Sequence, residues 1–181
     1  NVMSITDGQI VFDLSIFRTG KRPAVNAGLS VSRVGGNAQN GRRKRLSGTL
    51  FKAQAAYKQA EEFSHFSSQL SKETRIDLTI GKYVNEVLQQ PPEELRSIPE
   101  QQLMLETVLL SGGEMELDIP KLKEIIGDVA KKVKDEKDYD RIEADLLKKI
   151  TIKAPEPEEK PAEGQQPPVD DKDQKSDEKD D

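Results

Sequence analysis

The chain has 181 residues with no cysteine and one histidine, and 34% of its residues are charged. These counts exclude a disulfide framework, a thiolate metal site and a metal site built from several histidines. The formal net charge is −5, but residues 153–181 alone carry eleven acidic residues and five lysines, which leaves about +1 for residues 1–152. By charge alone, that part predicts no polyanion or membrane partner.

Residues 1–37 are predicted to form short strands and loops. Apolar runs at residues 2–5 and 10–14 flank the turn dipeptide Asp7-Gly8 and indicate two short strands. Residues 15–36 are rich in Gly, Pro and Asn, which is typical of a loop-rich sheet edge. Strands this short cannot form a core alone, so we expect the chain to be a fragment whose remaining sheet lies upstream.

Residues 38–152 predict five amphipathic helices in a small bundle, because apolar residues recur at helical spacing. The first helix begins near Ala38. Its apolar face consists of Leu46, Leu50, Ala53, Ala56, Tyr57, Ala60 and Phe63. The second follows an N-cap within residues 71–74 and is stopped by Pro91-Pro92.

The three later helices are predicted from their terminal residues. Pro99 lies in the first turn of the third helix, which Gly112-Gly113 ends. Pro120 opens the fourth, with Val133 on its apolar face. The fifth helix spans residues 139–150.

Residues 153–181 are predicted to be a disordered acidic tail. They hold five of the ten prolines and no aromatic residue, so they have little apolar surface to offset the entropy of ordering. A regulatory arm that docks on a basic partner is the alternative, although the tail offers no apolar anchor.

The stretch at residues 22–36 places Arg33 among small residues and glycines, where a backbone can approach a ligand closely. A protein could present an arginine in this way to a phosphate that another group holds. The residues alone leave a second interpretation open, in which Arg33 satisfies carbonyl groups near a turn.

Residues 23–32, PAVNAGLSVS, resemble the signature shared by the alpha and beta subunits of rotary ATPases. The surrounding residues resemble alpha. Residues 1–10, NVMSITDGQI, are similar to the strand that precedes the signature in alpha subunits. Residues 28–36 have the sequence typical of alpha subunits, where beta subunits have Asp-Ser-Thr-Ser-Arg. From Asn1 to about Ile150, the chain resembles the C-terminal part of the alpha subunit of F-type, proton-driven ATP synthases. This similarity has no obvious gap.

The resemblance implies a mixed fold. Residues 1–37 would be a remnant of an α/β, RecA-like nucleotide-binding domain, residues 38–152 an all-α helical bundle, and residues 153–181 the disordered tail. Arg33 matches the arginine finger, which in the family reaches the gamma-phosphate on the neighbouring beta subunit. Ser30 matches a serine that the family requires for activity. By the same resemblance, three residues would line the interface with the beta subunit beside Arg33, and we call them the interface supports: Ser4, Val31 and Ser32.

The resemblance also implies a nucleotide pocket. Arg22 and Pro23 match positions beside the adenine that alpha binds non-catalytically, and Gln90 matches a glutamine of that pocket. The family usually has a second glutamine where this chain has Pro92, and a plain surface role is the alternative for Arg22. ATP or ADP with Mg²⁺ is the cofactor implied for the full-length subunit. The phosphate-binding loop is absent, so we expect no nucleotide, no metal site and no activity in this chain alone.

The implied partners are beta subunits, in an alternating hexamer, and the gamma subunit of the central stalk. The complex would couple ATP synthesis or hydrolysis to proton transport, and the subunit would lie peripherally at the cytoplasmic face of the cell membrane. A free-standing helical adaptor without nucleotide chemistry is the alternative function.

The basic run at residues 41–45 is interpreted as a solvated or subunit-facing surface rather than a nucleic-acid site, because no aromatic residue interleaves it. His65 is interpreted as a packing or surface residue.

Overall fold

The computed structural model describes residues 5–64 and 70–153, and these are mostly helical. In chain order the elements are β1 (Gly8–Gln9), α1 (Leu14–Arg18), β2 (Val31–Ser32), α2 (Gly41–Ser64), α3 (Lys72–Leu88), α4 (Ile98–Leu110), β3 (Glu116–Leu117), α5 (Ile119–Ala130), α6 (Glu136–Ile150) and β4 (Thr151–Lys153). The predicted succession of five bundle helices, α2 to α6, is confirmed. The predicted start of the tail at residue 153 is wrong, because Lys153 lies in β4. The rest of the predicted tail (residues 154–181), His65 and Ser4 lie outside the described residues.

The N-terminal part is a small antiparallel pair of strands closed by a short helix. Strand β1 pairs with β2, with Gly8 opposite Ser32, and Phe12 forms an isolated bridge with Val25. The predicted turn at Asp7-Gly8 and the second predicted strand at residues 10–14 are wrong. Gly8 lies in β1, Phe12 forms only an isolated bridge, and α1 begins at Leu14. The side chain of Asp13 caps this helix by accepting a hydrogen bond from Ser15 N. A RecA-like origin for this part stays a prediction.

Local capping chemistry sets where the bundle helices begin. Ser71 caps α3 as predicted, and Ser97 forms a capping box with Glu100 at the start of α4, with Pro99 in the first turn. A second capping box, between Asp135 and Asp138, starts α6 three residues before the predicted position.

Two helix assignments from the sequence are wrong. Helix α5 ends at Ala130, so Val133 lies beyond it, in a turn where its N–H donates to the Ala130 carbonyl. On α2, Phe63 is 67% exposed rather than part of the packed face. Helical spacing places a residue on one face of a helix but does not show that another element packs on it there.

The hydrophobic core lies among α3 to α6. Its buried members are Val84, Val87, Leu103, Met104, Leu105, Val108, Leu117, Ile119, Leu122, Ile126, Ala130, Tyr139, Ile142, Leu146 and Ile150. Helix α2 packs mainly on α3, and its only buried residue is Ala60. None of the helices in the described ranges is both long and apolar enough to span a membrane.

A small sheet that the sequence did not predict closes the bundle. Strand β4, directly after α6, pairs antiparallel with β3, and Leu117 lies opposite Thr151. The Asp118 N–H donates to the Ile150 carbonyl at 2.8 Å, and the Leu117 N–H donates to the Tyr83 hydroxyl at 3.1 Å. These bonds tie the end of α6 to α3 and to the start of α5.

An ion cluster fastens α2 to α4 and α6. The guanidinium of Arg42 contacts carboxylates of Glu106, Asp140 and Glu143, and the Arg42 side chain is only 13% exposed. The interpretation of residues 41–45 as a solvated or subunit-facing surface is therefore wrong for Arg42. Its carboxylate partners lie far along the chain, where a local sequence pattern does not reveal them.

Candidate functional site

Arg33 lies on the surface directly after β2. Its backbone N–H donates to the Asp7 carbonyl at 2.8 Å, and its Nη1 donates to the Thr6 carbonyl at 3.3 Å. Its side chain is exposed and lines a shallow cavity of about 300 Å³, together with Thr6, Gly8, Gln9 and Val31. The β1–β2 pair thus holds the Arg33 backbone while its side chain faces outward. The contact with Thr6 also matches the alternative in which Arg33 satisfies a carbonyl group.

Ser30 is part of the loop framework that precedes Arg33. Its hydroxyl donates to the Asn26 carbonyl at 2.7 Å and accepts from the Val11 N–H at 3.0 Å. This hydroxyl therefore joins the loop to the segment after β1.

The two interface supports in β2 differ in their surroundings. The Ser32 hydroxyl accepts from the Gly35 N–H at 2.9 Å, whereas Val31 is 55% exposed. The structure therefore places Ser30, Val31, Ser32 and Arg33 together, and Ser4 is outside the described residues.

Asn26 and Asp13 organise the same loop, and sequence reasoning assigned neither a role there. Asn26 donates from Nδ2 to Asp13 Oδ2 at 3.0 Å, and its Oδ1 accepts from the N–H groups of Gly28 and Leu29. Hydrogen bonds from Ser15 and then Asn26 lower the pKa of Asp13 to about 2. The Asp-x-Ser spacing at residues 13–15 was the available signal, since it is typical of an Asx cap.

The three predicted nucleotide-binding residues lie together. The Gln90 N–H donates to the Arg22 carbonyl at 2.9 Å, which joins the end of α3 to the loop that holds Arg22 and Pro23. The Arg22 guanidinium stacks 3.6 Å from the centroid of the Phe17 ring and donates to the carbonyls of Phe17 and Lys21.

This arrangement fits the base end of a nucleotide. A flat guanidinium stacked on a phenyl ring, beside a proline, offers a surface of the kind on which a planar base can rest. Gln90 donates its side-chain amide to the Glu94 carbonyl, so a base contact would require that amide to change partner. In the described ranges, no group of three or more His, Cys, Asp or Glu residues could hold a metal ion.

Comparison with known proteins identifies the helical part. Residues 39–159 match the family described as ATP synthase alpha/beta chain, C terminal domain. The chain belongs to this family. The matched region begins just before α2 and includes all five bundle helices, so the family's C-terminal domain corresponds to the bundle.

Similar proteins named ATP synthase subunit alpha confirm the resemblance to the alpha subunit. The chain is 44% identical over 123 residues to the protein from Clostridium acetobutylicum, which covers 67% of this chain and 24% of that protein. It is 46% identical over 105 residues to the one from Clostridium kluyveri (58% and 21% covered) and 43% identical over 124 residues to the one from Clostridium botulinum (68% and 24% covered). The chain thus spans about a quarter of the length of these alpha subunits.

Among solved structures, a similar one is a unique ATP synthase subunit, NeqB, from Nanoarcheaum equitans. The TM-score is 0.56 at 24% identity, and the match covers 61% of this chain and 30% of that one. At this identity the likeness concerns the fold alone. It agrees with the mostly helical architecture of this ATP synthase alpha/beta C-terminal domain.

Proposed function

We propose that the chain serves as part of the alpha subunit of an F-type ATP synthase and donates Arg33 to a catalytic site on an adjacent beta subunit. The observation that carries this proposal is the position of Arg33. Its backbone is held by the β1–β2 pair, and its exposed side chain lies beside an open cavity. Membership of the alpha/beta family and the similarity to alpha subunits support the same function.

The proposed role follows from the chemistry of phosphoryl transfer. Negative charge spreads over the equatorial oxygens of the transferred group, and a guanidinium delivered from a neighbouring subunit stabilises it. The backbone of Arg33 is anchored on both sides, through its own N–H to Asp7 and through Ser32 Oγ, which accepts from Gly35. Anchoring limits the entropy lost when the guanidinium engages a phosphate.

Nucleotide handling by the same subunit is the second part of the proposal. Arg22, Pro23 and Gln90 would contact the base of ATP or ADP held non-catalytically. Other parts of the full-length subunit would bind Mg²⁺ and the phosphates. The Gln90–Arg22 backbone bond supports this assignment because it couples the pocket to the end of α3. Pro92 in place of the usual glutamine would leave that side of the base with fewer polar contacts.

The proposed partners are beta subunits in an alternating hexamer and the gamma subunit of the central stalk. The complex would couple ATP synthesis or hydrolysis to proton transport, with this subunit peripheral at the cytoplasmic face of the cell membrane. Exposed apolar residues of the N-terminal part, such as Ile10, Phe12 and Leu14, support a further protein surface beside that part.

The test is Arg33→Ala in the full-length subunit, assembled with its partners. We expect assembly to survive and steady-state ATP hydrolysis to fall by about 10³-fold or more, since the guanidinium acts on the transition state. Arg33→Lys should restore little, because a point charge does not reproduce the planar fork. Arg18→Ala, another exposed arginine in the N-terminal part, is the matched control. Near-normal turnover of the assembled Arg33→Ala complex would refute the proposal.

A further inference from the structure

Three carboxylates from two helices surround one guanidinium at the start of α2. Arg42 Nε donates to Glu106 Oε1 at 2.8 Å, Nη1 donates to Asp140 Oδ1 at 2.8 Å, and Nη2 donates to Glu143 Oε1. The side chains of Glu106 and Glu143 are 11% and 10% exposed, whereas that of Asp140 is 79% exposed. Two nearly buried carboxyl groups therefore share one cation.

The hydrogen bonding of this cluster is incomplete without a further proton. Glu106 Oε2 is buried and accepts no hydrogen bond from any part of the chain that the structure describes. The carboxyl groups of Glu106 and Glu143 bind the same guanidinium, so they lie close together. A proton on Glu143 would supply a donor to Glu106 and would remove one of two like charges from a poorly solvated place.

Arg42 is the cation that contacts Glu143, and it also contacts two other carboxylates. From α2, Arg42 faces Glu143 and Arg43 lies near Tyr139, while Gln102 of α4 donates to Glu106 at 3.1 Å. On α6 itself, the ring of Tyr139 lies 5.0 Å from the Arg42 guanidinium, beside the exposed Asp140. Helix α5 also packs on α6, and its buried residues are the apolar Ile119, Leu122, Ile126 and Ala130.

Burial is the largest cause that raises the pKa of Glu143, to about 8, and the hydrogen bond and charge of Glu106 add to it. Arg42 acts in the opposite direction but is shared among three carboxylates. The shared guanidinium, the buried unpaired oxygen of Glu106 and the upward shift of the Glu143 pKa thus all favour one proton on the cluster.

We propose that Glu106 and Glu143 share one proton and, with Arg42, form a pH-sensitive clamp that holds the start of α2 against α4 and α6. With the proton bound, the pair carries one negative charge, which Arg42 balances. When the proton is lost, two buried carboxylates repel each other, and the contact of α2 with the rest of the bundle loosens.

The direction of the pH dependence follows from proton linkage. The pKa of Glu143 rises from its ordinary value of 4.5 to about 8 in the folded chain, so the folded state binds more protons between these values. The stabilisation that the proton on Glu143 contributes is complete below pH 4.5 and is lost as the pH rises through 8. The folding equilibrium constant should fall by at most about tenfold per pH unit in this window.

The first experiment follows the glutamate carboxyl carbons of the 181-residue chain by NMR from pH 4 to pH 10. We expect one carboxyl to titrate near pH 8 in the wild type, and the same signal to move to lower pH in Glu106→Gln. In Glu143→Gln it should be absent. If no glutamate of the wild-type chain titrates above about pH 6, the proposal is overturned.

The second experiment measures the movement, and the absence of native cysteine permits site-specific spin labels. One label pair measures the distance between α2 and α6, at the exposed positions Lys44→Cys and Lys137→Cys. A control pair measures the distance between α3 and α5, at the exposed positions Lys82→Cys and Glu124→Cys. Above pH 8 we expect the distance distribution of the α2–α6 pair to broaden reversibly. The control pair should not change, and adding Glu143→Gln should abolish the response. A pH-independent α2–α6 distance in the wild-type background would contradict the clamp.

Discussion

At the scale of single residues, the side chains of residues 23–32 stabilise the loop that leads to Arg33. Asn26 accepts from two backbone N–H groups and donates to Asp13, and Ser30 bridges Asn26 and Val11. These side chains hold the backbone that leads into β2. The Ser30 hydroxyl therefore has a structural role within this chain, because it helps to hold the segment that carries Arg33.

Ser30→Ala should expose this role. The Val11 N–H would lose its acceptor, at a cost of about 1 kcal/mol, so its amide hydrogen should exchange roughly fivefold faster. Hydrogen exchange followed by NMR measures this rate. Ser15→Ala is the control, because the Ser15 hydroxyl donates to Asp13 and does not contact Val11. Unchanged Val11 exchange in Ser30→Ala would mean that the hydroxyl does not hold the loop.

At the scale of elements, glycine marks places where helices approach too closely for a side chain. A Cβ atom on Gly81 of α3 would lie 2.2 Å from the ring of Tyr57 on α2, so this glycine permits the α2–α3 contact. After α4, Gly112 and Gly113 both have positive φ, at 63° and 72°. Only at Gly113 would a Cβ meet neighbouring atoms, the Ile76 carbonyl oxygen and Ile80 Cγ1, each at 2.8 Å.

Alanine at these two glycines should therefore have unequal effects. Gly112→Ala should cost about 1–2 kcal/mol in free energy of unfolding, because an L-residue resists the left-handed conformation. Gly113→Ala should cost about 1–3 kcal/mol more, because the backbone oxygen of Ile76 cannot move aside cheaply. Urea denaturation of both variants checks the difference. Equal losses would show that the close approach to α3 contributes nothing.

At the scale of the whole molecule, the β3–β4 pair joins the end of the bundle to its middle. Strand β4 follows α6 without a loop and pairs with residues just before α5, so the chain after Ile150 still contributes to the fold. The Thr151 hydroxyl also donates to the Leu147 carbonyl at 2.6 Å. The composition of residues 154–181, in contrast, predicts a segment that adds little to the stability of the bundle.

Two truncations separate these contributions. A chain that ends after Lys153 should keep its free energy of unfolding within about 0.5 kcal/mol of the intact chain. A chain that ends after Ile150 should lose about 1–3 kcal/mol, since the hydrogen bonds between β3 and β4 are removed. Thermal and urea unfolding compare the two. Strong destabilisation by the shorter deletion would show that the acidic tail packs on the bundle.

The features that sequence analysis predicted correctly are those that depend on neighbouring residues. Ser71, Pro99 and Pro120 mark helix starts, because a cap or a first-turn proline acts within a few positions of itself. The apolar spacing of α2 to α6 predicted five helices, and residues 1–150 resembled an alpha subunit. The short helix α1 was missed because the apolar run at residues 10–14 matches a strand as well as a helix.

The amino-acid sequence by itself determined the five bundle helices, the Ser71 cap and the family, because those depend on local periodicity, local hydrogen bonds and residue identity. Only the tertiary structure decided which distant groups meet. Arg42 lies 64 residues from Glu106 and 101 from Glu143, and Gln90 reaches the loop of Arg22 from the end of α3. Such contacts depend on how the helices pack, since burial makes an arginine and two carboxylates into an ion cluster that the same residues would not form in water.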